Sequence, residues 1–247
     1  VAAALRQERR SVALIDPDPS AINESQYLDC LLITGSALSR DSLMRAGISD
    51  AEIFITATND DMIPVKICGI TSVKDAQLAI EKGASAIGLI FYTPSPRNIS
   101  IKIAKEIIEH VNESVPIIGV FVDENIQIME SILSQVNFDI LQLHGSESPQ
   151  YCEQFNLPII KVFRIDSEFD KSQLVDYNVS AFLFDTYNKG LPGGTGVHFD
   201  WELISNIKSE TPIILSGGLT ASNVLNGVEA VNPSAVDVNS GVEDCPG

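Results

Sequence analysis

Two side chains in this sequence are suited to acid–base work, and each stands at the end of an apolar run. Cys68 closes Val65-Lys66-Ile67 and precedes Gly69 and Ser72-x-x-Asp75, the pattern of a helix start. A helix N-terminus stabilises a thiolate, although a lone cysteine at a strand end is more often a small hydrophobe. Asp185 follows Phe182-Leu183-Phe184, so its carboxyl ends a buried strand and must be paired, protonated or functional. Arg97, in Ser95-Pro96-Arg97-Asn98, sits on a proline-stiffened loop and suits a carboxylate or a phosphate; as a surface arginine it would need no explanation. Ser216-Gly217-Gly218 and Ser240-Gly241 can turn backbone N–H groups toward an anion. His144 is either a site residue or a turn residue satisfied by backbone. Lys66 and Asp237 should face the interior and pair there as structure, because an unpaired buried charge is costly. His110 and His198 look solvent-facing, and no His/Cys/carboxylate cluster has metal spacing.

These residues need elements to bring them together. From residue 65 onward, apolar runs that read as buried parallel strands recur at 65–70, 86–91, 116–122, 139–144, 158–165, 181–186, 212–217 and 235–240. Amphipathic, helix-like stretches separate them at 72–82, 101–111, 124–136, 149–155, 168–177, 201–208 and 223–231. Eight strands alternating with seven helices predict an α/β protein, a (β/α)8 TIM barrel without its final helix. A flavodoxin-like open sheet is the rival, strained by eight equally spaced units. In such barrels chemistry gathers at the strand C-termini, and Cys68, Phe91, Asp123, His144, Arg164, Asp185, Gly217 and Ser240 all fall at or just beyond those ends. Glycine loops after strands seven and eight point to a phosphorylated small-molecule substrate. The loop 187–196, with four glycines, is a candidate lid.

The chain before residue 64 reads differently. Residues 1–65 hold five arginines and no lysine, whereas residues 66–247 hold nine lysines and two arginines. Together with the polar turn Asn59-Asp60-Asp61-Met62-Ile63-Pro64, this divides the chain into 1–63 and 64–247. The first piece alternates a helix at 2–9, strands at 11–15, 31–34 and 51–57, and short helices at 22–27 and 42–45, a partial Rossmann-like α/β segment. Asp16, after the first strand, either binds a ribose or caps the turn Asp16-Pro17-Asp18-Pro19.

Composition excludes several classes. A net charge of −17 argues against nucleic acid, whose phosphates need a basic surface. No apolar stretch is long enough for a membrane span, and the start lacks a signal peptide's pattern. Four scattered cysteines, Cys30, Cys68, Cys152 and Cys245, suit a reduced, cytoplasmic chain better than a disulfide framework or a zinc site.

Two resemblances follow from these motifs. Val12-Ala13-Leu14-Ile15-Asp16, Ile33-Thr34-Gly35-Ser36-Ala37, Leu43 through Ile48 and Phe54 through Asp60 resemble the RCK/Trk-type nucleotide-binding domain that regulates potassium transport. That family's Gly-rich phosphate loop is absent, so the segment reads as a remnant. Lys66-Ile67-Cys68-Gly69-Ile70-Thr71, Ser95-Pro96-Arg97, Gly119 through Asp123, Gln142-Leu143-His144-Gly145, Gly193-Gly194-Thr195-Gly196 with Phe199-Asp200-Trp201, Ser216-Gly217-Gly218-Leu219 and Asp237 through Glu243 resemble the phosphoribosylanthranilate isomerase family of tryptophan biosynthesis. Asn239 stands where that family more often has serine.

The second resemblance implies an Amadori rearrangement without metal or organic cofactor. It implies Asp185 as general acid on the furanose ring oxygen, Cys68 as thiolate general base at C2′, and Arg97 on the anthranilate carboxylate. It further implies Gln142 and His144 as substrate-binding residues, and Gly217, Gly218, Ser240 and Gly241 around the phosphate. The expected protein is a cytoplasmic monomer or homodimer that binds neither nucleic acid nor membrane. Competing readings are a nucleotide-sensing module of a potassium transport system carried by the first piece, another phosphate-handling barrel such as indole-glycerol-phosphate synthase, and a truncated, inactive fusion. The Cys68/Asp185 pair, and the lack of a catalytic lysine at a strand end, argue against the second of these.

Overall fold

The computed structural model describes residues 13–16, 31–34, 63–111, 115–186 and 200–243. The chain divides into two units, Val1–Met62 and Ile63–Gly247. In the first, β1 (Ala13–Asp16) pairs in parallel with β2 (Leu31–Thr34), Ala13 opposite Leu31 and Asp16 opposite Thr34. The strand expected at 51–57 and the helices expected around it lie outside the described residues.

The second unit carries eight parallel strands: β3 (Val65–Cys68), β4 (Ala86–Ile90), β5 (Ile117–Phe121), β6 (Ile140–Leu143), β7 (Ile159–Ile165), β8 (Ala181–Thr186), β9 (Ile213–Leu215) and β10 (Ala235–Val238). Their order is that of the chain, and β10 pairs with both β9 and β3, so the sheet closes into a barrel. All five residues of β5 and all six of β8 are buried, which explains why these strands read as continuous apolar runs rather than alternating ones. Alternation separates their neighbours instead. Ile118, Val120, Ile160, Val162, Leu183 and Ile214 fill the barrel, while Ile87, Leu89, Phe121, Leu141 and Leu143 pack beneath the helices.

The helices are α1 (Val73–Glu81), α2 (Ile101–Val111), α3 (Ile126–Leu133), α4 (Pro149–Cys152), α5 (Glu202–Ser205) and α6 (Val224–Val231). Ser72 caps α1 by accepting the Asp75 N–H at 3.1 Å, as its spacing predicts. In α2 the buried residues Ala104, Ile107 and Val111 form one stripe.

Three helices depart most from their apolar pattern. The 149–155 stretch stays α-helical only through Cys152; Gln154 and Phe155 then bond to carbonyls three residues back, just ahead of Pro158. The 168–177 stretch is a 3₁₀ helix, Lys171–Asp176, with only Leu174 buried and Val175 facing solvent, too narrow an apolar face for an amphipathic α-helix. The 201–208 stretch is helical only over α5, and Ile204 alone is buried.

Among the described residues no helix is long and apolar enough to cross a membrane.

Candidate active site

Strand parity aims a polar set into the barrel: Lys66 and Cys68 from β3, Gln142 from β6, Asp185 from β8 and Asp237 from β10. Lys66, Gln142 and Asp237 form its buried floor. The Lys66 ammonium lies 3.1 Å from Asp237 Oδ1, both side chains 5% exposed, and donates to Gln142 Oε1. Burial works against that charge, but the facing Asp237 carboxylate outweighs it and holds the ammonium above its ordinary pKa. The interior pair expected from parity is therefore present.

Above this floor opens a cleft of about 740 Å³, counting the solvent at its mouth, and both Cys68 and Asp185 line it. Gly88, the β4 neighbour of Cys68, leaves room for it: a Cβ there would stand 2.9 Å from Cys68 Sγ and from Lys66 Cε. Gly69, at φ +82°, turns the chain out of β3, and a Cβ on it would stand 2.6 Å from Arg97 Cδ. The Cys68 thiol departs from expectation. Helix α1 begins only at Val73, and burial dominates instead, pushing the thiol up to about 11; the Lys66 ammonium lowers it, while the Asp237 and Asp185 charges add to the rise. Burial thus favours the thiol over the thiolate.

Asp185 is held at both oxygens. Oδ1 accepts the Thr186 N–H at 2.7 Å, and Oδ2 lies 3.1 Å from His144 Nε2. The His144 ring thus bonds the carboxyl as well as lining the cleft, and the residue's backbone N–H donates to the Phe121 carbonyl. Gln142, expected beside the substrate, is fully buried and does not line the cleft; it bridges Lys66 and His144 from below.

The glycine loops divide their work. Gly217 and Gly218, at φ +86° and +64°, line the cleft, and a Cβ on Gly217 would stand 2.5 Å from the Thr186 nitrogen and 2.8 Å from Asp185 Oδ1. Only glycine lets this loop lie so close to the carboxyl. Ser240 also lines the cleft. Gly241 does not; it packs against the preceding loop, where a Cβ would meet the Leu219 carbonyl carbon at 2.9 Å and Thr220 Cα at 3.1 Å. Arg97 is buried rather than on the surface, lines the cleft, and donates through Nε and Nη2 to both carboxylate oxygens of Glu243, Nε at 3.0 Å.

Of the other strand ends, Arg164 lines the cleft and donates to the His144 carbonyl at 3.2 Å, whereas Phe91 and Asp123 serve structure. Phe91 stacks on Phe121 at 5.4 Å in the helix layer, and Asp123 accepts the Ser146 N–H at 2.6 Å. Sequence reasoning missed the buried pair Lys161–Glu147, 2.8 Å apart, although a lone lysine inside the apolar β7 was a visible sign. Glu147 accepts the N–H groups of Asp123 and Gly145, and Lys161 donates to the carbonyls of Leu143 and Gly145, so the pair clamps the loop that carries His144. It also missed Glu243 as the partner of Arg97. The candidate lid 187–196 and His198 lie outside the described residues. His110 is exposed, as expected. Among the described residues no group of three or more His, Cys, Asp or Glu is placed to hold a metal ion.

A closed (β/α)8 barrel with a thiol, a carboxyl, an arginine and glycine loops around one mouth has the layout of a TIM-barrel enzyme. Residues 65–247 match the family described as N-(5'phosphoribosyl)anthranilate (PRA) isomerase, and residues 1–82 match the TrkA-N domain. The two overlap over β3 and α1, which the structure builds into the barrel. The chain is 42% identical over 186 residues to N-(5'-phosphoribosyl)anthranilate isomerase of Geotalea uraniireducens, covering 75% of this chain and 92% of that one. It is 44% identical to the protein of that name from a Geobacter species, covering 75% and 91%. Among solved structures, phosphoribosyl anthranilate isomerase from Thermotoga maritima superposes with a TM-score of 0.70 at 36% identity, covering 75% of this chain and 92% of that one. A second structure, of the enzyme in complex with reduced 1-(o-carboxyphenylamino)-1-deoxyribulose 5-phosphate, has a TM-score of 0.65 at 35% identity, covering 75% and 91%. This chain belongs to the N-(5'-phosphoribosyl)anthranilate isomerase family.

Proposed function

We propose that the protein converts N-(5′-phosphoribosyl)anthranilate to 1-(2-carboxyphenylamino)-1-deoxyribulose 5-phosphate in tryptophan biosynthesis, an aldose–ketose isomerisation of the intramolecular oxidoreductase type. The observation that carries this reading is that Cys68 and Asp185, from strands across the barrel, line one cleft together with Arg97, Gly217, Gly218 and Ser240.

Asp185 protonates the furanose ring oxygen, the C1′–O bond breaks, and an iminium forms between C1′ and the anthranilate nitrogen. Cys68 takes the C2′ proton, and the C–H electron pair becomes the C1′–C2′ double bond of an enolamine. The enolamine becomes the ketone as C1′ gains a proton and the C2′ hydroxyl releases one, so the reaction is redox-neutral overall. Cys68 begins as a thiol, and the cationic iminium beside it favours its ionisation at the step that needs a base. Arg97 holds the anthranilate carboxylate, displacing or sharing Glu243, and the backbone at Gly217, Gly218 and Ser240 faces the phosphate. The ligand is thus a phosphorylated small molecule, taken up by a cytoplasmic monomer or homodimer.

The test follows loss of phosphoribosylanthranilate fluorescence. Cys68→Ser and Asp185→Asn should each lower kcat by roughly 10²–10⁴-fold, the usual contribution of a positioned acid or base, with unchanged far-UV circular dichroism. Near-normal turnover in either variant removes that residue from the mechanism. A second reading, nucleotide sensing by residues 1–62, draws on the TrkA-N match; a thermal shift with NADH or ATP would support it.

A further inference from the structure

We infer that Gln142 is a positioning residue that sets the tautomer of His144, so that the ring proton sits on Nε2 and is donated to Asp185. The inference rests on the reading of Asp185 as the general acid.

An ammonium has three donors and no acceptor. Lys66 lies against Gln142, so the amide must turn its oxygen toward the ammonium; the opposite orientation would set donor against donor. The Gln142 NH₂ then faces His144, where Nε2 of the amide lies 3.3 Å from Nδ1 of the ring. That group has only hydrogens to offer, so Nδ1 must present its lone pair and the ring proton must be on the other nitrogen. His144 Nε2 lies 3.1 Å from Asp185 Oδ2. Gln142 has no solvent-exposed surface, so water cannot offer the amide a different arrangement.

This chain transmits hydrogen-bond direction without transmitting charge. A lysine placed directly against Asp185 would favour its ionised form far more strongly than a neutral imidazole N–H does. The amide between them converts the ammonium's presence into a fixed, neutral imidazole donor. Oδ2 of Asp185 is then oriented by His144 and Oδ1 by the Thr186 N–H, while the carboxyl stays at the cleft. Cys68, beside the same Lys66, and Asp185 are the two ends of one internal network.

The experiment uses the full chain labelled with ¹⁵N-histidine, in which only His110, His144 and His198 report. His144 is assigned by the resonances that vanish in His144→Asn. At neutral pH and without substrate, its Nδ1 should resonate as an unprotonated ring nitrogen and its Nε2 as one bearing hydrogen. Gln142→Glu keeps the shape but can accept on both sides, from Lys66 and from a proton drawn onto Nδ1. In that variant Nδ1 should move to the protonated range, and kcat should fall about tenfold or more with KM little changed, part of the ~10²–10⁴-fold an acid contributes. A wild-type Nδ1 that carries the proton overturns the inference, as does a folded Gln142→Glu protein with unaltered ring resonances. The wild-type spectrum decides even if that variant does not fold. It is also independent of turnover, so failure of Asp185→Asn to lose activity would overturn the catalytic reading while leaving the tautomer measured.

Discussion

Raising the pH from about 9 to about 11 should selectively weaken the barrel through Cys68, because burial pushes its thiol from 9.0 up to about 11. The Lys66 ammonium draws the value back, and the charges of Asp237 and Asp185 raise it further, so desolvation prevails over the nearest cation. The folded state therefore binds the thiol proton more tightly than the unfolded chain does. The stabilisation is present in full below about pH 9 and is lost as the pH climbs through the folded value near 11. Two pH units correspond to about 3 kcal/mol at ~1.4 kcal/mol per unit. In thermal melts, the stability of the wild type relative to Cys68→Ser should accordingly shrink by about 2–3 kcal/mol across that interval, or roughly 4–12 °C in Tm for a domain of this size. A direct check is the ultraviolet absorption of the thiolate, taken as wild type minus Cys68→Ser. It should titrate near pH 11 in the folded protein. A difference titration centred near or below the free-thiol range of ~8.5 would refute the claim that burial governs this sulfur, and would restore the helix N-terminus as the dominant influence.

The other expectations concern the groups around it. Lys161→Met should destabilise the barrel by about 3–5 kcal/mol, since it leaves the buried Glu147 carboxylate without its ammonium; a loss below about 1 kcal/mol in chemical denaturation would show that the clamp is dispensable. Arg97→Ala should raise KM about ten- to a hundredfold, in line with ~1.5–3 kcal/mol for a charged hydrogen bond, and affect kcat less. An unaltered KM would put the substrate carboxylate elsewhere. Gly217→Ala places a Cβ 2.5 Å from the Thr186 nitrogen and 2.8 Å from Asp185 Oδ1 at φ +86°. It should lower kcat/KM by tenfold or more through about 1–2 kcal/mol of backbone strain plus displacement of the acid; wild-type kinetics would show that the loop can shift away.

The barrel was legible because its signals are local. Eight buried runs in series, each followed by a break, need no knowledge of distant residues, and the parity that turns Lys66, Cys68, Asp185 and Asp237 inward is a property of a single strand. The helices proved harder. Where one side chain, Leu174 or Ile204, is all that a segment buries, length alone overstates its helicity.

Residue types and their order in the chain thus determined the fold class, the mouth at which chemistry gathers, and the thiol and carboxyl that occupy it. Tertiary structure alone decided who neighbours whom and at what electrostatic cost. Arg97 and Glu243 meet across 146 residues, His144 and Asp185 across 41, and Lys66 and Gln142 across 76. Burial raises the Cys68 pKa where the helix start alone pointed the other way, because a helix start can be read from a few adjacent residues. Desolvation, by contrast, is the sum of every strand that closes around the sulfur, and exists only once the barrel is shut.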